Sequence, residues 1–166
     1  MSPRRRDISV RELRTCGESR AVRLPEFDYA GDAKIHITIC AARGAPFRDT
    51  RVAQMICTSV EKSCELRGYR LFGYCLMPEH LHVLLSPVGS GVPLGDWLQS
   101  FKGYTTSQYM RWGARPPLWQ RSGHDHVCRV DETAEKVLTY IVNNPVRTEL
   151  VQCWRDWRWT RAFIEI

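Results

Sequence analysis

The nine residues 77–85, with the sequence MPEHLHVLL, hold the side chains of this chain that are best suited to chemistry. Side chains alternate between the two faces of a β-strand, so His80 and His82 are predicted on one face and Leu81 and Val83 on the other. Neutral imidazole is a common metal ligand. With five histidines in 166 residues, however, such a pair arises easily by chance, and histidines on a half-buried strand are often only hydrogen-bonded polar core. The pair therefore needs a partner elsewhere in the chain.

A second candidate pair lies on a predicted helix near residues 131–144. The residues that share its buried stripe are Val137, Leu138, Ile141 and Val142. Tyr140 and Asn144 lie one turn apart at the border of that stripe, where a side chain can reach a neighbouring cleft. A phenol can attack as a nucleophile, and an amide oxygen can coordinate a cation. Tyr104 and Tyr109, on an earlier predicted helix, are rival nucleophiles.

The charge and the cysteines limit the class of protein. Lys and Arg number 24 against 18 Asp and Glu, which gives +6 and a pI near 9.1, and only four of the cations are lysines. Guanidinium groups bind phosphate oxygens in a bidentate way, although a GC-rich genome would also favour arginine. The seven cysteines include no C-x-x-C pair, so we expect reduced thiols in the cytoplasm. No apolar run approaches the length of a membrane span.

The elements that position these residues follow from periodicity and turn signals. They are strands at about 35–40, 69–77, 80–86 and 124–130, and helices from Asp49 or Thr50 to Gly68, from Leu94 onward, and from Asp131 to about Asn144. The order βαββαβ with one more helix predicts an α+β, ferredoxin-like (RRM-like) antiparallel sheet, in which the first and third strands are central. The histidine pair would open a central strand.

The chain divides into three predicted parts. Residues 1–33 form a basic N-terminal arm with Arg4, Arg5 and Arg6, residues 34–150 form the domain, and residues 151–166 form a Trp/Arg-rich extension. The extension suits base stacking with phosphate binding and equally suits packing of its indoles on the domain. Both interpretations stay open at this point.

The run MPEHLHVLL resembles the signature of HUH single-strand DNA transposases that use one catalytic tyrosine. Further segments agree, in the same order, with the insertion-sequence-200-like family and especially with the REP-associated tyrosine transposases: residues 36–40, 100–105, 118–121, 125–129, 140–146 and 156–160. The resemblance covers about residues 34–162.

This resemblance implies an enzyme that cleaves and rejoins single-stranded DNA through a 5′-phosphotyrosine intermediate, at hairpin (REP-like) sequences. It makes Tyr140 the nucleophile, His80 and His82 ligands of Mg²⁺ or Mn²⁺, and Asn144 the third ligand. The candidate DNA contacts are basic, aromatic or imidazole side chains: Arg4, Arg5, Arg6, Lys102, Tyr104, Arg121, His126 and Arg129. The expected location is the cytoplasm, at the nucleoid.

Two other functions remain open at this point. One is a nucleic-acid-binding module of the same fold without catalysis. The other is a metal-dependent hydrolase in which His80, His82, His124 and His126 share an ion and Tyr140 only packs. The sequence leaves open whether the protein is a monomer or a homodimer, which DNA sequence it recognises, and whether it mobilises an element.

Overall fold

The computed structural model describes residues 33–89, 92–121, 126–130 and 132–166, and for 126–130 it describes the backbone. The predicted arm, with Arg4, Arg5 and Arg6, therefore lies outside the described residues except for Ala33, and so does His124. The strands are β1 (Lys34–Cys40), β2 (Tyr69–Leu76), β3 (His80–Pro87), β4 (His126–Val130) and β5 (Thr160–Ala162). The helices are α1 (Thr50–Leu66), α2 (Leu94–Arg111), α3 (Ala134–Val142) and α4 (Asn144–Arg147).

The strands form one antiparallel sheet in the order β4-β1-β3-β2-β5. Its first four members have the strand order of a ferredoxin-like fold, so the predicted fold class is confirmed. β1 and β3 are central, and their register pairs Thr38 with His82 and Cys40 with His80. The histidine pair therefore lies at the start of a strand that has neighbours on both sides.

The two faces of the sheet pack against different helices. On one face, Ile35, Ile37 and Ile39 of β1 join Leu81 and Val83 of β3 in a core shared with α1 and α2. On the other face, Leu84 and residues of β2 form a smaller core with α3. Because strand side chains alternate, the residues between the isoleucines of β1 lie on the α3 face.

Local signals explain where α1 begins and ends. The Asp49 carboxylate caps it, since Oδ1 accepts hydrogen bonds from the backbone N–H groups of Arg51, at 2.8 Å, and Val52, at 3.0 Å. Gly68, at φ 72°, follows its end in the left-handed conformation that glycine adopts most easily.

The end of the domain differs from expectation in two places. α3 is capped by Thr133 and begins at Ala134, later than the predicted Asp131. It ends at Val142, and α4 starts at Asn144 with Pro145 in its first turn. Proline is tolerated there because that position needs no backbone N–H donor. Pro145 thus lies in the first turn of a new helix, whereas the sequence predicted only the end of α3 there.

Residues 151–166 pack on the domain. β5 pairs with β2, Trp157 Nε1 donates a hydrogen bond to the Leu76 carbonyl oxygen at 2.9 Å, and Trp154 and Ile164 pack on the α3-side core. The structure therefore supports the packing interpretation of this segment.

The cysteines depart from expectation at one position. Cys57, Cys64, Cys75 and Cys153 are free thiols, whereas Cys40 is disulfide-bonded, which corrects the expectation that all seven are reduced. Burial raises the pKa of the Cys57, Cys64 and Cys75 thiols to about 12, so these three stay protonated at neutral pH. Within the described ranges, no helix is both long enough and apolar enough to cross a membrane.

We predict that Gly73→Ala destabilises the protein by about 1–3 kcal/mol. A Cβ at this position would lie 2.5 Å from the Arg161 carbonyl oxygen and 2.5 Å from Leu138 Cδ1, so the backbone of β5 and the side chain of Leu138 would both have to move. Urea unfolding measures the loss. Gly95→Ala is the matched control, because a Cβ there meets no atom within 4 Å in the part of the chain that the structure describes. Equal stability of the two variants would contradict this packing argument.

Candidate active site

The side chain of His82 is fixed by two polar residues of β1. His82 Nδ1 lies 3.1 Å from His36 Nε2 and 3.0 Å from Thr38 Oγ1, all within a buried cluster. The rings of His36 and His82 are stacked with their centroids 5.3 Å apart. Since Nδ1 is engaged by these neighbours, Nε2 is the nitrogen of His82 suited to a ligand. The sequence did not reveal this role of His36, although strand alternation places His36 on the same face of β1 as Thr38.

His80 lies beside His82, as the H-x-H spacing predicts. The two rings meet edge to face with centroids 4.8 Å apart. His80 Nδ1 is buried and has no hydrogen-bond partner among the described residues, and an unsatisfied buried polar atom typically costs about 1–3 kcal/mol. A cation bound at this nitrogen would satisfy it, so the residues present fit a metal-binding role.

Burial keeps both imidazoles neutral. It lowers the pKa of His80, an effect that the nearby Glu79 carboxylate partly opposes. Burial also holds the pKa of His82 well below its usual value, and the neighbouring His36, His80 and Arg147 lower it further. A neutral imidazole is the form that binds metal ions, so both side chains are in the binding form at neutral pH.

Tyr140 and Asn144 lie on the same side of the α3–α4 segment. Tyr140 is half-buried and packs at the border of the α3-side core. The Asn144 side-chain nitrogen donates hydrogen bonds to the carbonyl oxygens of Tyr140, at 3.3 Å, and Ile141, at 2.9 Å. Because the nitrogen is held by the helix, Oδ1 is the atom of Asn144 suited to a cation. Tyr140 and Asn144 are therefore one turn apart, as the helix period predicts, although Asn144 belongs to α4 and not to α3.

Arg147 links the tyrosine to the histidine pair. Its guanidinium carbon lies 4.6 Å from the centroid of the Tyr140 ring, and its positive charge is near enough to lower the pKa of His82. Tyrosine, arginine and imidazole therefore share one side of the sheet. Arg147 was not predicted as a site residue. Its position two helical turns after Tyr140 would have placed both side chains on one side of a continuous helix.

The candidate DNA contacts Lys102 and Tyr104 on α2 and Arg121 beyond it line two different surfaces. Lys102 and Arg121 line one cavity, whereas Tyr104, 56% exposed, lines an apolar cleft between α1 and α2. The structure brings the first two together and separates them from Tyr104. The rival nucleophile Tyr109 packs against the larger core.

His126 and Arg129 are described by their backbone alone, where they pair with Thr38 and Ile35 of β1. Among the described residues, no group of three or more His, Cys, Asp or Glu side chains could hold a metal ion. The metal ligands predicted from the sequence are not a group of that type, because the third of them is the amide of Asn144.

Comparison with known families identifies the chain. A family model described as IS200-like transposase matches residues 30–144, which is more than half of the sequence. The chain belongs to the IS200-like transposase family. The matched range contains the histidine pair, Tyr140 and Asn144.

Two curated relatives come from Haemophilus influenzae. One, provisionally named a REP-associated tyrosine transposase, is 24% identical over 115 residues, which cover 60% of this chain and 62% of the relative. The other is an uncharacterised protein, 21% identical over 173 residues, with 82% of this chain and 93% of that protein covered. The chain thus spans less than two thirds of the length of the first relative.

Two solved structures share the fold. A REP-associated tyrosine transposase bound to a REP hairpin superposes with a TM-score of 0.64 at 18% identity, covering 82% of this chain and 80% of that one. A provisionally named transposase from Deinococcus radiodurans superposes with a TM-score of 0.51 at 21% identity, covering 72% and 95%.

We predict that the metal-free protein loses stability as the pH falls below about 6.5, the ordinary pKa of histidine. The folded state holds the pKa values of His80 and His82 below that value, so the unfolded chain binds more protons and the free energy of unfolding falls. Each imidazole contributes at most about 1.4 kcal/mol per pH unit. Urea unfolding with EDTA at several pH values measures the slope, which should be smaller in His82→Gln. An equal slope in the two proteins would contradict the prediction.

Proposed function

We propose that this protein is a metal-dependent single-strand DNA transposase that cleaves and rejoins DNA through Tyr140. The observation that carries the proposal is the position of Arg147, stacked on the Tyr140 ring and within electrostatic range of His82. A nucleophile, a fixed cation and a neutral imidazole pair on one side of the sheet are the groups that phosphoryl transfer requires. The family membership supports the same reaction class.

The reaction follows from the chemistry of a phenol. Tyr140 Oη attacks the phosphorus of the scissile phosphodiester, the bond from phosphorus to the 3′-oxygen breaks, and the phenolic proton passes to solvent. The 3′-oxygen takes a proton from solvent and leaves as a hydroxyl, and the 5′-phosphate stays joined to Tyr140. Because a phenol has a pKa near 10, it is a good leaving group, so a 3′-hydroxyl can reverse the step and rejoin DNA without ATP.

His80, His82 and the Oδ1 atom of Asn144 would hold the divalent ion, for which Mg²⁺ or Mn²⁺ is our proposal. When bound, such an ion supplies neutralisation of the charge that develops on the phosphate oxygens. The unsatisfied Nδ1 of His80 and the neutral state of His82 support this assignment. His36 and Thr38 engage Nδ1 of His82, which leaves its Nε2 available for ligation.

The proposed substrate is single-stranded DNA that carries a hairpin. The solved neighbour with the higher of the two TM-scores is bound to a REP hairpin, and the arginine-rich composition of this chain suits a polyanionic partner. Lys102 and Arg121 are the proposed phosphate contacts among the described side chains.

We predict a covalent adduct between the wild-type protein and labelled hairpin DNA in the presence of Mn²⁺. The adduct should be absent in Tyr140→Phe, which keeps the ring and removes the attacking oxygen, and absent in wild type with EDTA. Denaturing gel electrophoresis measures it. Tyr109→Phe is the matched control, since Tyr109 packs against the larger core. Full cleavage by Tyr140→Phe would make the nucleophile assignment wrong.

We predict that Arg147→Gln slows cleavage by about a hundredfold, because a fixed positive charge beside the nucleophile is lost. Arg51→Gln is the matched control, since Arg51 also stacks on an aromatic ring, with its guanidinium carbon 4.1 Å from the centroid of the Trp112 ring, which packs on the larger core at the other face of the sheet. Single-turnover rates measure the effect. Equal rates in the two variants would remove Arg147 from the mechanism.

A further inference from the structure

The cleft between α1 and α2 lies over the face of the sheet opposite His82. It has a volume of about 880 Å³, and its apolar lining includes Met55, Trp97, Phe101 and Trp112. Two more large hydrophobic side chains of the lining, Leu66 and Tyr104, are 80% and 56% exposed. Exposed apolar surface that is gathered at one cleft marks an interaction site.

Trp97 indicates what kind of occupant the cleft takes. It is fully buried and stacked on Phe101, with ring centroids 5.5 Å apart. Its Nε1 has no hydrogen-bond partner among the described residues, and a buried donor without an acceptor costs free energy. An occupant that carries backbone carbonyls offers acceptors beside this indole, which favours a peptide segment over a purely apolar molecule.

The charged side chains of the lining are cationic. They are Arg51, Lys62 and Arg67, and no acidic side chain occurs among the described lining residues. Arg51 stacks on the Trp112 ring with its guanidinium carbon 4.1 Å from the centroid. Lys62 and Arg67 lie near the other end of α1. We therefore expect an occupant that is both apolar and acidic.

A segment of that composition directly precedes the domain. Residues 24–32, outside the described ranges, have the sequence LPEFDYAGD, with three large hydrophobic side chains, three carboxylates and no cation. Residues 1–23 differ, with seven arginines and three acidic residues. The part of the arm next to β1 thus has the charge and the apolar side chains that complement the cleft.

This segment joins the domain at the end of the sheet where α1 ends. Continuing the register of β1 with β3 places Ala33 opposite Pro87, and Pro87 pairs with Tyr69. Arg67, in the cleft lining, is two residues before Tyr69. Nine extended residues span up to about 30 Å, and a helix of the length of α1 spans about 25 Å. The segment is therefore long enough to follow the cleft from end to end.

We propose that residues 24–32 dock in the cleft between α1 and α2. Pro25 favours an extended backbone at the residue before it, and in an extended segment Phe27 and Tyr29 share one side. These two rings pack on the apolar lining, and the carboxylates of Glu26 and Asp28 lie towards Lys62 and Arg67. The docked segment covers exposed apolar surface on the side of the sheet away from Tyr140, so the proposal does not depend on the proposed function.

The test measures cleavage of the full-length protein by chymotrypsin after Phe27 and Tyr29, followed at each bond by mass spectrometry. When opening is fast relative to cleavage, the rate reports the population of the undocked segment. Ser100→Trp places a large ring in the cleft. Ser107→Trp is the matched control, because Ser107 is also exposed on α2 and does not line this cleft.

We expect Ser100→Trp to accelerate cleavage at both bonds about tenfold, which corresponds to 1.4 kcal/mol. Ser107→Trp should be cleaved at the wild-type rate. Lys62→Glu should accelerate cleavage about threefold at low salt, and the difference from wild type should shrink at high salt. Equal rates for Ser100→Trp and wild type would overturn the proposal.

Photo-crosslinking identifies the occupant directly. Phe27 is replaced by benzoylphenylalanine, and light and heavy-isotope forms of the full chain are mixed before irradiation. We expect crosslinks from position 27 to peptides of α1 or α2 in the same chain. Crosslinks between light and heavy chains would assign the cleft to a second copy, and the absence of any crosslink to α1 or α2 would place the segment elsewhere. Either result would contradict docking within one chain.

Discussion

The pairing of β1 with β3 is the interaction on which the rest of this structure depends. Its register brings His36 and Thr38 against His82. A slip of one residue would exchange the two faces of the strand, so an isoleucine of β1 would replace these polar partners and His36 would enter the apolar core. Burial of three isoleucines on the opposite face makes such a slip costly. The hydrophobic core therefore also specifies the orientation of the imidazole.

The two faces of the sheet divide structural and chemical roles. The larger core, with α1 and α2, contains most of the buried aromatic and aliphatic side chains. The smaller core, with α3, supports the tyrosine-bearing helix. The polar residues His36, Thr38 and His82 on that second face are buried, and desolvation there keeps the imidazole of His82 neutral and strengthens electrostatic interactions. One sheet can thus supply both rigidity and reactivity.

Local periodicity predicts much of this arrangement, but it does not predict the roles of His36 and Arg147. Alternation predicts that His80 and His82 share a face, and the helical period predicts that Tyr140 and Asn144 share a side. The role of His36 depends on register with a strand 46 residues away, which no local pattern specifies. Arg147 was missed because Pro145 indicated a stop, whereas proline is also compatible with the first turn of a new helix.

The pairing of β5 with β2 has a consequence for self-association. An open strand edge offers unpaired backbone groups to another chain and is a common route to sheet extension and aggregation. Here Gly73, Tyr74 and Cys75 of β2 are already paired with β5, and Gly73 permits that close approach. Among the described strands, a dimer built by continuing the sheet would therefore have to pair with β4 or with the three-residue strand β5, because the central part of β2 is already covered.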